Sequence, residues 1–259
     1  MNETTDNTSL CAEHLRYVLR IADGSLILAQ RLSEWCGHGP ALEEDIALTN
    51  IALDLLGQAR LLLSHAGRLE DRGRDEDALA YLRDAADFLN PTLVELPNGD
   101  FAQTILRTFF YASWQQALWE PLLASRDPTL AAIAAKSRKE TRYHCEHLAE
   151  WVVRLGDGTD ESHARMQAAL HYLHPYVAEL FAPDADDAAA AIAGIGPDAA
   201  ALRAAWDAAV LPVLAEATLE VPSDTPFRST GRLGRHSEYL GFLLAEMQSL
   251  ARAHPGANW

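Results

Sequence analysis

The residues most able to do chemistry lie on two helical stretches. In the first, 43–66, Asn50, Asp54 and Gln58 recur every fourth residue and so stack along one helix face. The stretch is otherwise apolar on nearly every side, which predicts a buried helix carrying a polar stripe. A buried polar stripe needs partners, because each unmet group costs free energy. In the second, about 128–155, the inward stripe Leu130, Ala134, Ser137, Thr141, His144, Leu148, Trp151 and Leu155 includes one histidine.

The chemistry such helices could support is a di-metal carboxylate centre. It takes one Glu from each of two helices and a Glu-x-x-His pair from each of two others. The three-residue step aims both ligands of a pair at the bundle centre. Here the first pair reads Asp54-Leu55-Leu56-Gly57 and the second Thr141-Arg142-Tyr143-His144. Glycine offers no ligand, and threonine stands where a carboxylate is needed. Glu34 is the acid available on the preceding helix, and the third long helix offers Ala112 or Tyr111. Two readings of Glu34, Asp54 and His144 stay open: a hydrogen-bonded polar cluster, or a single metal held by the three.

Other chemistries find little support. There is no Gly-x-Ser-x-Gly elbow, no glycine-rich phosphate loop, and nothing that completes a zinc site around Cys36 and His38. One concentrated basic loop exists, 228–236, where Arg228, Arg232, Arg235 and His236 could meet phosphates, a carboxylate or a partner. Solvated arginines pairing with local acids is the competing reading.

The elements that must position these residues are helices. Apolar residues at three- and four-residue steps predict helices over about 11–37, 41–66, 101–125, 128–155, 160–181, 198–219 and 237–253, with a short one near 77–86. GHGP at 37–40, SRDPT at 125–129 and GDGT at 156–159 punctuate them. Residues 88–99 and 221–236 are rich in proline and glycine and read as irregular. The expectation is an all-α bundle: a disordered tail at 1–10, then a single domain over 11–259, with a core at about 11–155 and C-terminal helices at about 160–253.

Bulk properties narrow the function. With 259 residues and 49% hydrophobic content the chain can bury a sizeable core. Its 37 acidic against 21 basic residues, net charge −16, speak against nucleic-acid or anionic-membrane binding. The three cysteines, Cys11, Cys36 and Cys145, have no paired spacing, and the N-terminus lacks a signal-peptide pattern, so a cytoplasmic location is expected. Asp54 and Gln58 interrupt the best candidate for a membrane span. Trp119 and Trp259 stand out as aromatic candidates for a partner interface.

With those residues in view, the chain resembles the PaaC-type subunits of bacterial phenylacetyl-CoA epoxidase. The stretches that carry the resemblance run from about residue 14 to the end. They are 25–60 (SLILAQRLSEWCGHGPALEEDIALTNIALDLLGQAR), 94–105 (VELPNGDFAQTI), 125–144 (SRDPTLAAIAAKSRKETRYH), 154–162, 201–210, 216–222 and 236–250. The resemblance implies a ferritin-like helical bundle with additional shorter helices. It implies a structural subunit without catalytic residues or a cofactor of its own. Its partner would be a homologous subunit holding di-iron, with a reductase and small accessory subunits completing an oxygen- and NADPH-dependent monooxygenase. It also makes Glu34, Asp54 and His144 vestigial ligand positions, with Gly57, Ala112 and Thr141 at positions where ligands are gone. The alternative is a stand-alone metalloenzyme with a mononuclear carboxylate/histidine site.

Overall fold

A computed structural model describes the backbone of residues 3–257 and the side chains from Ala12 to Ala257. The elements in order are α1 (Glu3–Ser33), α2 (Leu42–Glu70), α3 (Glu76–Tyr81), α4 (Thr92–Glu95), α5 (Phe101–Leu122), α6 (Pro128–Gly156), α7 (Asp160–Val177), α8 (Ala185–Ile192), α9 (Ala199–Glu216) and α10 (Glu238–Ala253). Single 3-10 turns occupy Ala85–Asp87, Ala178–Phe181 and Gly231–Leu233. Among the described residues the β-structure is one isolated bridge, Thr230 to Arg235. The fold is all-α and ferritin-like, in keeping with the helical periodicity and the resemblance.

Helix starts follow local chemistry. The Asp127 carboxylate accepts the backbone N–H groups of Thr129 (2.9 Å) and Leu130 (3.0 Å), and Pro128 opens α6 where its missing N–H is harmless. Asp100 caps α5 and Asp198 caps α9 in the same manner. Thr159 and Ser162 form a reciprocal box at the start of α7. The connection between α1 and α2 is closed by Asp45, whose Oδ2 accepts the N–H groups of Gly37 (2.8 Å) and Gly39 (2.9 Å). Gly37 takes φ +82°, a left-handed value that a residue without a Cβ adopts freely.

Several boundaries differ from expectation. The backbone of residues 3–10, expected as a disordered tail, is the first part of α1, while Met1 and Asn2 lie outside the described residues. That same helix stops at Ser33, so Glu34 falls just beyond it. A single domain was expected, but the chain gathers into two compact units. The first comprises Met1–Pro97, Ala185–Ala190 and Thr230–Trp259; the second comprises Asn98–Asp184 and Ala191–Ser229.

In the first unit α1 folds back along α2, with α3 packed on α2, α4 on α1, and α10 on α3 and α4. Val18, Ala22, Leu26, Ala29 and Leu32 of α1 and Leu48, Leu55, Leu62 and Ala66 of α2 form its apolar centre. Yet α2 is not buried all round. It is long and apolar enough to cross a membrane, but only half of that window is buried. The Asn50, Asp54, Gln58 line is no buried stripe either: Asn50 is exposed, Asp54 half-buried and Gln58 buried. Four residues turn a helix by about 40° more than one revolution, so the line drifts from solvent into the core.

In the second unit α5 is the central helix. It is buried on nearly every side and packs against α6, α7 and α9. Trp119, an interface candidate by sequence, is fully buried here, and Trp259 lies outside the described residues. Each buried indole finds an acceptor: Trp114 Nε1 donates to Leu180 O (3.1 Å), Trp119 Nε1 to Thr141 Oγ1 (3.2 Å), and Trp206 Nε1 to Phe110 O (3.0 Å).

Gly156 ends α6 against the turn after α9. A Cβ there would sit 2.4 Å from Ala217 O and 2.7 Å from Ala217 Cβ, both fixed parts of the chain. Gly156→Ala should therefore cost about 1–3 kcal/mol. Gly241→Ala, on α10 with nothing within 4 Å, should be neutral or stabilising by up to about 1 kcal/mol. Thermal unfolding followed by circular dichroism separates the two.

Candidate functional site

The positions that would carry a metal centre can be placed one by one. On α2, Asp54 is half-buried and Gly57 presents no side chain. On α6, in the second unit, Thr141 and His144 are both buried, and the Thr141 hydroxyl accepts the Trp119 indole. Ala112 and Tyr111 of α5 are buried in the same unit and offer no carboxylate. Glu34 is exposed, and its Oε1 accepts from Arg31 at 2.7 Å. Asp54 lies twelve residues into α2, about 18 Å along the axis from the end where Glu34 sits. Glu34 and Asp54 are therefore not brought together. A two-metal centre needs four carboxylates and two histidines. The donor set at these positions does not fit it.

The residue of α1 that stands level with Asp54 is not Glu34. Counting equal numbers back from the middle of the 34–41 connection reaches Ile21, since both helices rise about 1.5 Å per residue, and Asp23 lies two residues, about 3 Å, nearer the connection. Asp23 is fully buried there. Arg83 grips both of its oxygens: one amino group contacts Oδ1 closely, and the other donates to Oδ2 at 3.0 Å. The backbone N–H of Leu89 adds a bond to Oδ2 at 2.9 Å. The same guanidinium donates to Leu79 O (2.5 Å) and Asp87 O (3.0 Å) and lies 4.2 Å over the Phe88 ring. Sequence reasoning passed over this pair. The signal was present: Asp23 is the only acid between Glu13 and Glu34, and it adjoins the apolar stripe at Ala22 and Leu26.

A second buried carboxylate is also fully engaged. Glu95, at the end of α4, accepts from Asn90 Nδ2 (2.9 Å), the Ser237 N–H (2.5 Å) and His236 Nδ1 (2.7 Å). The other ring nitrogen of His236 faces Phe88 O at 2.8 Å. A ring set between two acceptors in this way bonds both only with a proton on each nitrogen. Arg31 closes the cluster by donating to Glu95 O at 2.8 and 3.1 Å.

The basic loop is dispersed rather than concentrated. Arg232 is nearly buried and donates to both oxygens of Asp187 (2.8 and 3.0 Å). Asp187 sits in an ion network with Asp186, Arg20 and Arg16, where Arg20 meets Asp186 at 2.6 Å and Arg16 meets it at 2.9 Å. His236 is turned inward, as described. Arg228 belongs to the second unit and donates to its own loop carbonyls, Thr225 O (2.5 Å) and Phe227 O (2.7 Å). Arg235 projects from the surface of the first unit. Their neighbours in the fold, not in the sequence, decided where these charges went.

What emerges is an all-α, ferritin-like chain in outline. Its buried α1 carboxylate, Asp23, is held by arginine. The chain belongs to the phenylacetic acid catabolic protein family, whose model matches residues 1–259. It is 52% identical over 243 residues to the C subunit of the 1,2-phenylacetyl-CoA epoxidase of Escherichia coli (strain K12), a match covering 94% of this chain and 98% of that protein.

Arg83 is the group to remove. Arg83→Met leaves Asp23 buried without its counter-ion and should destabilise by about 3–5 kcal/mol. The double variant Asp23→Leu/Arg83→Met should recover most of that loss, because an apolar pair leaves no charge stranded. Urea unfolding of the two single variants and the double variant measures the coupling.

Proposed function

We propose that this chain is a non-catalytic, structural subunit of a phenylacetyl-CoA epoxidase complex. In this reading it acts in the cytoplasm and pairs with a homologous subunit whose di-iron centre does the oxygen chemistry. A reductase and small accessory subunits complete the system. The observation that carries the reading is the Asp23–Arg83 pair. The buried carboxylate of α1 is taken up by a guanidinium and a backbone N–H and is not available to a metal. Gly57 and Thr141 remove two further ligands. The strong similarity to a protein named as an epoxidase subunit supports the setting.

The rival reading, a mononuclear site on Glu34, Asp54 and His144, gains nothing from the separation of Glu34 and Asp54 along α2. A phosphate-binding role for the 228–236 loop is weakened in the same way, since Arg232 and His236 are already committed to Asp187 and Glu95.

The face that would meet the iron-bearing subunit is the uncovered side of α2. Leu42 (72% exposed), Leu53 (59%) and Ile46 (52%) share one side of the helix, and Leu61 (38%) flanks them. Apolar surface of this kind on a helix is what a second helical chain covers. Ile46→Glu and Leu53→Lys should each cut co-purification with the co-expressed iron-bearing subunit at least tenfold while leaving the thermal midpoint of the isolated chain unchanged. Wild-type recovery of the complex by both variants would reject this face.

The isolated chain should also hold iron far below the two atoms of a di-iron centre. Elemental analysis near two irons, together with oxygen-dependent turnover, would overturn the structural role.

A further inference from the structure

The second unit holds a feature that the proposed function does not use. Between α5, α6 and α9 lies a groove of about 650 Å³, within the range of small-molecule sites. Its sides are apolar: Phe109 and Pro121 come from α5, and Leu202 and Val213 from α9. Along α9, Ala201, Ala205 and Ala209 recur every fourth residue and stand exposed, so no long side chain fills the space.

The polar groups inside are few and specific. The side-chain oxygen of Gln116 is buried and has no hydrogen-bond partner among the described residues. A buried acceptor without a donor costs free energy, and here it lines an open groove that could admit one. Ser113, also buried, lies beside the Cys145 thiol on the same wall. Burial pushes that thiol up to about 12, so it stays protonated at neutral pH. The charged lining groups, Glu120 and Glu146, are both exposed and acidic. An anion entering this groove would meet like charge and no cation among the lining groups.

We propose that this groove binds a small uncharged ligand with an aromatic or alkyl body and one hydrogen-bond donor, the donor bonding to Gln116. The body displaces water from the alanine face of α9 and from Phe109 and Leu202. Anionic compounds, CoA esters included, do not fit it.

Phenol, anisole and benzoate test the assignment: one ring with a donor, one without, and one carrying a negative charge. Titration by calorimetry should show phenol binding at least tenfold more tightly than anisole, and benzoate not binding. Gln116→Leu should make phenol and anisole equal, and Ala205→Trp should abolish both. Equal binding of phenol and anisole to the wild type overturns the proposal. So does loss of co-purification with sister subunits in Ala205→Trp when no probe binds, because the groove is then a protein docking surface.

Discussion

The Asp23–Arg83 pair is the constraint on which the first unit depends. A fully buried carboxylate in an apolar helix pair is tolerable only with its counter-charge in place and its remaining lone pairs met. Arg83 meets both demands. It also ties together parts of the chain that are far apart in sequence, because it holds α1, the end of α3 and the 85–89 turn through a single guanidinium. Gln248 of α10 then donates to the backbone carbonyls of Ala80 and Arg83, so the last helix packs on the segment the ion pair has fixed. The pair orders its surroundings more than it adds net stability, since buried ion pairs seldom outperform well-packed apolar residues.

The same logic recurs at Glu95 and at Asp186–Asp187. Each takes acidic groups out of water and surrounds them with guanidinium, imidazole or backbone N–H groups. Within one unit, three carboxylate clusters are assigned to structure. In a chain with 37 acidic residues and 21 basic ones, a large share of the buried cationic side chains is spent inside this unit. The acidic excess is left on the surface, and with it the apolar side of α2.

How much of this was legible in the sequence depended on distance along the chain. Helix limits set by local chemistry were readable, as at Asp127-Pro128, Thr159 and the Gly37–Pro40 turn, because cap and breaker lie within a few residues of what they control. The missing ligands at Gly57 and Thr141 were readable too, since the three-residue step is a local rule. The destinations of charged groups were not. Asp23 and Arg83 are sixty residues apart, and Arg232 finds Asp187 across forty-five. Adjacency in sequence suggested a basic patch at 228–236, and adjacency in space dissolved it. The burial of Trp119 and the exposure of one side of α2 were hidden for a related reason. An apolar helix reads alike whether its neighbours or an absent partner cover it.

The route of the chain has a consequence for synthesis. The first unit opens with α1 and α2, but it is completed by 185–190 and by everything from Thr230 onward. His236, Arg232 and Gln248, which bond Glu95, Asp187 and the α3 backbone, leave the ribosome after the whole of the second unit. The second unit is encoded almost entirely between these pieces and emerges first as a whole. Throughout its synthesis α1 and α2 therefore stand with Glu95 lacking His236, and the first unit closes only once the stretch from Thr230 onward has emerged. A polypeptide cut short before Thr230 would lose the fastenings of its opening helices along with its own last helix.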